Sequence, residues 1–511
     1  MSERKLKKSR TGGLPSFGAP SELDNISNFH QDPSSSASST RVIGPTTPPA
    51  LTTICARVFV TNFLELRKNE ALWHRVSQSL AALPDILIPK VFAMLQNTYP
   101  TYLSHEVIVT YFFRGPSVTL LKDLPGVKKR TILDIARFNP GVRQLELTGF
   151  DDIPDSAFAQ LFRNLTHLQS LVLRGCTKVT GESMQAVAQN SKSLRILNVS
   201  FTSVTPASLA PIVRACPHLE VLKVAGIQNW TDTTLLKLLA DLPDEFQLPD
   251  LRTLKLRQTS ISEASLTSIL KLCPALRRLD ISFTLLRHPP QILDFPMPSL
   301  EKLCVTSTSI LPNDLIDVIR LLPGLRALAI GAMGANRGSR ASIGNTSAMT
   351  MTDAALVTLT SVLEQFQHIE DISLVGNTKL GLASKDSSAI SIFIKKVGRK
   401  CKRLNLAGIH AVRSSDLAGL SDTEADIVSP LETLILNNTS IDDEASLYIA
   451  TCPTLSTLAI AGTKMSNEGI FTIIDSCQKL VNLDLTSCRS IRVVDRRRFF
   501  EVCAMRFENS S

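Results

Sequence analysis

The ten cysteines of this chain form no Cys-x-x-Cys pair, and its eight histidines fall in no His-Glu-x-x-His or other metal-ligand spacing. Local signatures of a zinc site and of a dithiol centre are therefore missing. No Gly-x-Ser-x-Gly elbow occurs, and no glycine-rich loop leads from a strand into a helix, so neither a hydrolase nucleophile nor a nucleotide site is expected. No apolar stretch reaches the ~20 residues of a membrane span. The N-terminus, MSERKLKKSR, lacks the apolar core of a secretory leader. These absences predict a binding protein, not an enzyme, with no cofactor, no metal and no membrane. Its cysteines are expected to be reduced and mostly buried, in the cytoplasm and/or nucleus.

What the chain has in abundance is one phrase, L-x-x-L-x-L, followed two residues later by Cys, Thr or Asn. It reads LQSLVLRGC from Leu168, LRILNVSFT from Leu194, LRTLKLRQT from Leu251 and LRRLDISFT from Leu276. It continues as LEKLCVTST from Leu300, LETLILNNT from Leu431, LSTLAIAGT from Leu455 and LVNLDLTSC from Leu480. Weaker copies start at Val142, Leu219, Leu325, Ile369 and Cys401, giving thirteen. The usual spacing of about 25 residues is that of a leucine-rich repeat. Within the phrase, alternation of apolar and variable residues marks a short strand with one buried face. The ninth position needs a side chain that can bond turn backbone otherwise left buried and unpaired. A helix follows each strand, and Thr180, Ser262 and Ser466 stand at the N-cap positions of three of them. No single coil can bury its own apolar face, so the coils must stack.

A Cys-Pro pair recurs before the next strand, at Cys216-Pro217, Cys273-Pro274 and Cys452-Pro453. With the long period, this resembles the cysteine-containing, ribonuclease-inhibitor-like leucine-rich repeats. The expected fold class is α/β: a leucine-rich-repeat horseshoe solenoid of about 13 strand–helix repeats, with a small N-terminal helical module and a disordered tail. The expected divisions are a basic Ser/Pro-rich tail over 1–49 and a helical adaptor-binding or capping module over 50–141. The solenoid follows over 142–492, with a flexible insertion at 331–350, and a C-terminal cap occupies 493–511. Net charge is +9, and part of it lies in the tail at Arg4, Lys5, Lys7, Lys8 and Arg10, a cluster that is either a solvated tail or a nuclear-import signal.

In the helical module, Leu51, Cys55 and Phe59 fall at i, i+4 and i+8. That spacing resembles the elongin-binding box of the SOCS-box type, with Ala50 where the family has Ser, Thr or Pro. Downstream, LPDILIPKVFAML from Leu83 resembles a cullin-contacting box or the opening of an F-box, although Pro89 is expected to interrupt its helix. The order of tail, box helix, Leu-Pro helix and repeats is similar to the leucine-rich-repeat substrate receptors of cullin-RING ubiquitin ligases, and to the fungal excision-repair leucine-rich-repeat subunit. The resemblance implies an elongin C or Skp-like adaptor held by Leu51, Cys55 and Phe59, and a cullin near Leu83 and Pro84. A ligase receptor, a nuclear DNA-damage-recognition subunit and a general scaffold all remain open. If the module is only a cap, Leu51 and Cys55 should be buried against Val142 to Leu147.

The third, fifth and seventh positions of the phrase should face outward on the concave side. There they place Arg174, Lys223, Lys255, Arg257, Arg278 and Lys302 on neighbouring coils. Strands about 5 Å apart would merge these charges into one basic patch. An acidic protein substrate is the first expected occupant and nucleic acid the second, because few aromatic residues occupy these positions to stack on bases.

Overall fold

The computed structural model describes residues 40–42 and 49–499, except 123, 244, 289–298, 333–349, 383–387, 422–427, 493 and 496–498. The tail expected over 1–49 and the insertion expected at 331–350 therefore lie largely outside the described residues. Of the cap expected over 493–511, Phe499 is described: it is buried, with its ring 4.7 Å from that of Phe471.

Five helices lie before residue 142: α1 (Leu51–Lys68), α2 (Glu70–Ala81), α3 (Ile88–Thr98), α4 (His105–Phe112) and α5 (Lys129–Phe138). Pro89 stands in the first turn of α3 and opens that helix instead of interrupting it, because a first-turn proline has no intrahelical bond to lose.

One sheet runs through the chain. Its strands are β1 (Thr40–Val42), β2 (Ser117–Leu121), β3 (Gln144–Thr148), β4 (Ser170–Val172) and β5 (Ile196–Asn198). Then come β6 (Val221–Lys223), β7 (Thr253–Lys255), β8 (Arg278–Asp280), β9 (Lys302–Cys304) and β10 (Ala327–Ala329). The last are β11 (Asp371–Ser373), β12 (Arg403–Asn405), β13 (Thr433–Ile435), β14 (Thr457–Ala459) and β15 (Asn482–Asp484). From β2 to β15 every strand pairs in parallel with the next, in unbroken sequence order, and the sheet does not close. β1 instead pairs antiparallel with β15. The parallel sheet thus has fourteen strands, one more than the thirteen copies of the phrase. The additional coil holds β2, and Gly115 stands in it where the other copies have their first leucine.

Each coil follows one plan. The first, fourth and sixth positions are buried, as in Leu251, Leu254 and Leu256, and they stack coil upon coil into a continuous core. At the ninth position Thr202, Thr259, Thr284, Thr439 and Thr463 donate their hydroxyls to the carbonyl three residues earlier, at 2.6–2.8 Å. Asn377 and the cysteines reach further: Asn377 Nδ2 donates to Ile330 O at 2.7 Å, and Cys176 Sγ contacts Leu147 O at 3.2 Å, both in the preceding coil. In all coils of the phrase but that of Ala332 the eighth position turns left-handed. Glycine fills it at Gly149, Gly175, Gly226, Gly376, Gly408 and Gly462, but Phe201, Gln258, Phe283, Ser307, Asn438 and Ser487 hold φ of 56–59° there.

The helices α6 (Asp155–Phe162), α7 (Gly181–Asn190), α8 (Pro206–Ala215), α9 (Asp232–Ala240) and α10 (Glu263–Lys271) back the first coils. Behind the later ones stand α11 (Pro312–Arg320), α12 (Asp353–Leu363), α13 (Ala389–Lys396), α14 (Ala445–Ile449) and α15 (Asn467–Ser476). Thr180, Ser262 and Ser466 do occupy N-cap positions, but only Ser466 caps with its own oxygen. For the other two, a carboxylate at the start of the preceding helix does the work. Asp155 accepts from Thr180 N (2.9 Å) and Glu182 N (3.1 Å), and Asp232 accepts from Ser262 N (2.9 Å). Capping between coils thus ties each helix to its neighbour as well as ending it.

Candidate functional site

Two surfaces gather the residues singled out by sequence. On α1, Leu51 is 74% exposed and Val58 57%, with Ile54 and Cys55 exposed beside them. At about 100° per residue, Val58 lies about 20° around the helix from Leu51 and Cys55 about 40°, whereas Phe59 lies about 80° away. Phe59 accordingly turns inward, half-buried, its ring edge-on to Phe63 at 5.9 Å. Val58 and Ile54, not Phe59, complete the exposed face. Inward, Ala56, Val60 and Phe63 anchor α1 to the core. Lys90 Nζ donates to Thr53 Oγ1 at 2.5 Å, joining the start of α3 to the start of α1. Leu83 and Pro84 sit in the turn between α2 and α3, Leu83 half-buried against the core and Pro84 exposed. In the same turn Ile86 is exposed.

The concave face carries the second constellation. Lys223 lies opposite Lys255, and Arg278 lies opposite Lys302, in directly paired register. Burial pushes the Lys223 ammonium below the usual lysine range, and Lys255 adds to this; Glu146 opposes it, and Arg174 and Arg278 reinforce it. So Arg174, Lys223, Lys255 and Arg278 share one field. Asp280 stands in the same row between Lys255 and Cys304, so the patch contains acid as well as base. Among the described residues, Arg174, Lys223, Lys255 and Lys302 form no ion pair. The second position of the phrase behaves differently: Arg195–Glu220 (3.1 Å), Arg277–Glu301 (3.3 Å), Arg326–Glu370 (2.7 Å) and Lys402–Glu370 (3.4 Å) neutralise one another from coil to coil.

Two aromatic residues of this face were missed by reading only the third, fifth and seventh positions. Phe201 and Phe283 stand at the eighth, each beside an arginine of the preceding coil. The Arg174 guanidinium lies 5.7 Å from the Phe201 ring centroid, and that of Arg257 lies 4.8 Å from the Phe283 ring. Tabulating the seventh and eighth columns together would have revealed both pairs. No group of three or more His, Cys, Asp or Glu residues suited to a metal ion occurs among the described residues.

Known proteins share these features in part. A family model described as the leucine-rich repeats of an FBD-associated F-box protein matches residues 229–353, and a second, a leucine-rich repeat, matches 164–188. A putative F-box/LRR-repeat protein 23 of Arabidopsis thaliana is 30% identical over 121 residues, covering 23% of this chain and 26% of that protein. The F-box protein SKIP1 of the same plant is 26% identical over 145 residues, covering 25% of this chain and 47% of its own length. The chain therefore spans less than half of either relative. Among solved structures, the complex of Rad7 and Elc1 in yeast includes a chain that superposes with a TM-score of 0.50 at 14% identity, over 83% of this chain and 96% of that one. At that identity the likeness is one of fold. The recurring phrase, the unclosed parallel sheet and these matches together give the chain a leucine-rich-repeat solenoid fold, similar in its repeats to F-box/LRR proteins.

Proposed function

We propose that this chain is the substrate-receptor subunit of a cullin-RING ubiquitin ligase. In this reading α1 docks an elongin C or Skp-like adaptor, and the concave face holds a protein substrate. The chain itself is non-catalytic and works in the cytoplasm or nucleus. One observation carries the reading: Leu51 and Cys55 are exposed on a helix face with Ile54 and Val58. An end cap would bury such a row, and the spacing of Leu51 and Cys55 resembles that of a docking box. An isolated exposed apolar residue needs no explanation, whereas a contiguous row on one helix points to a partner. The F-box names of the Arabidopsis relatives and the presence of Elc1 beside Rad7 support the same assignment.

The test is capture of the full chain, separately by elongin C and by a Skp-like adaptor, beside a Leu51→Asp, Cys55→Arg double variant. One adaptor should bind the wild type and lose the variant, with the circular dichroism of both proteins alike. Failure of both adaptors to bind the wild type would overturn the receptor reading.

A further inference from the structure

Arginine occupies the seventh position of the phrase in only two of its copies, at Arg174 and Arg257. Phenylalanine occupies the eighth in only two, at Phe201 and Phe283. In both cases the phenylalanine belongs to the very next coil and lies against that arginine. A duplicated pairing of two rare choices is not what solubility would produce.

The backbone makes the choice costly. Both phenylalanines hold φ of 59°, a left-handed conformation that penalises a bulky residue by about 1–2 kcal/mol. Three of the other coils from β3 to β7 avoid that cost with glycine, at Gly149, Gly175 and Gly226. Backbone strain kept in place by its surroundings is characteristic of functional sites. The Phe201 ring also spreads over the next coil, where a Cβ on Gly226 would lie 2.3 Å from its Cε1. Each ring thus forms a platform beneath a guanidinium. A guanidinium stacked on an aromatic ring has less freedom to lose when an anion arrives. Arg257 Nε is moreover buried with no hydrogen-bond partner among the described residues, a donor still lacking its acceptor.

We propose that Arg174–Phe201 and Arg257–Phe283 are two equivalent prongs of an anion clamp that grips an extended acidic segment of the partner protein. The proposal rests on the concave face being the substrate surface and names what that surface reads. The two arginines are three strands apart, about 14 Å at the usual strand spacing, and Lys223 and Lys255 lie on the strands of the third and fourth of the four coils in that span. An extended chain rising about 3.3 Å per residue covers that distance in four to five residues. The clamp therefore selects acidic residues four or five positions apart. Phe201 and Phe283 are positioning residues that act through the arginines.

The test uses the full chain and fluorescein-labelled Gly/Ser peptides carrying two Glu pairs set two, four, five or eight residues apart, read by anisotropy. Binding should be tightest at four or five, and Phe201→Gly and Arg174→Ala should each weaken it about fivefold or more. Phe201→Gly in the Arg174→Ala background should cost nothing further, which a purely structural ring would not produce. Phe201→Gly relieves left-handed strain and should leave the melting temperature near wild type; Phe201→Leu provides a bulk-preserving second variant. Affinity indifferent to spacing, or unchanged in these variants, would overturn the clamp. A duplex DNA oligonucleotide that displaces the peptide and depends on the same two rings would overturn it in favour of a nucleic-acid face. Adaptor capture by the clamp variants, measured in parallel, shows separately whether the receptor reading stands.

Discussion

Asp232 offers the sharpest test of how the coils hold together. Its carboxylate opens α9, yet it accepts from the Ser262 amide at 2.9 Å and the Ser265 hydroxyl at 2.5 Å, both in the next coil. Ser265 is fully buried, so Asp232→Ala strands a hydroxyl that water cannot reach, at about 1–3 kcal/mol. The orphaned amide at the start of α10 adds about 1 kcal/mol, giving a total of about 2–4 kcal/mol. Asp232→Asn keeps an acceptor and loses only the charge, so about half that cost is expected. Burial alone would raise this carboxyl, but hydrogen bonds from Ser265 and Ser262 outweigh it and hold it below the usual carboxylate range. A lowered folded value means that the charge-dependent stabilisation is complete above the unfolded value of about 3.9 and is lost as pH falls through the folded one. The gap between wild type and Asp232→Ala should therefore be full at neutral pH and begin to narrow below about pH 4. A solenoid does not unfold as one unit, and its damage stays near the altered interface. Amide hydrogen exchange resolved to α10 is thus the right assay, with α7 as internal control. Unchanged exchange in α10 at pH 7, or equal effects of Asp232→Ala and Asp232→Asn, would refute the argument.

Cys55 should alkylate within minutes in the native protein, whereas Cys273, Cys304 and Cys401, whose thiols burial pushes up to about 12, should react only in denaturant; peptide mass spectrometry reads the order. Gly226→Ala combines left-handed φ with a collision against the Phe201 ring and should cost about 2–4 kcal/mol. In a Phe201→Gly background the same change should cost only about 1–2 kcal/mol, a difference visible by thermal melting. Glu370→Gln breaks two exposed ion pairs and should cost under about 1 kcal/mol, whereas Leu434→Ala, in the stacked core, should cost about 2–5 kcal/mol. Chemical denaturation of the two variants side by side checks the contrast.

The repeats were legible because burial acts on fixed positions of the phrase, and Leu254 or Leu434 announces its place wherever it recurs. The coil at β2 was hidden because Gly115 replaces the first leucine, and because α3 covers this end of the sheet where other coils have a neighbour. The exposure of Leu51 and Cys55 followed the spacing of the box, but the inward turn of Phe59 did not: i+8 is too far around an α-helix from i to share a narrow face. Capping by Asp155 and Asp232 could not be read from single segments, since donor and acceptor are a full coil apart. The same separation concealed the arginine–phenylalanine pairs, which become visible only when successive coils are aligned.

A solenoid is usually pictured as an open spring, with two free ends. The pairing of β1 with β15 changes that picture. Nine residue steps lead from Val42 on the far edge of the sheet to Leu51 at the start of α1, and a chain can stretch at most about 3.6 Å per step. The last coil and the first helix are therefore moored within roughly 32 Å of each other. Thirteen strand-to-strand steps from β2 to β15 trace roughly 62 Å along the sheet. The sheet itself stays open, and the three ladder positions of β1 tether its last coil to the segment that leads into the first helix. A partner that spreads the two ends beyond that reach must first unzip those three positions.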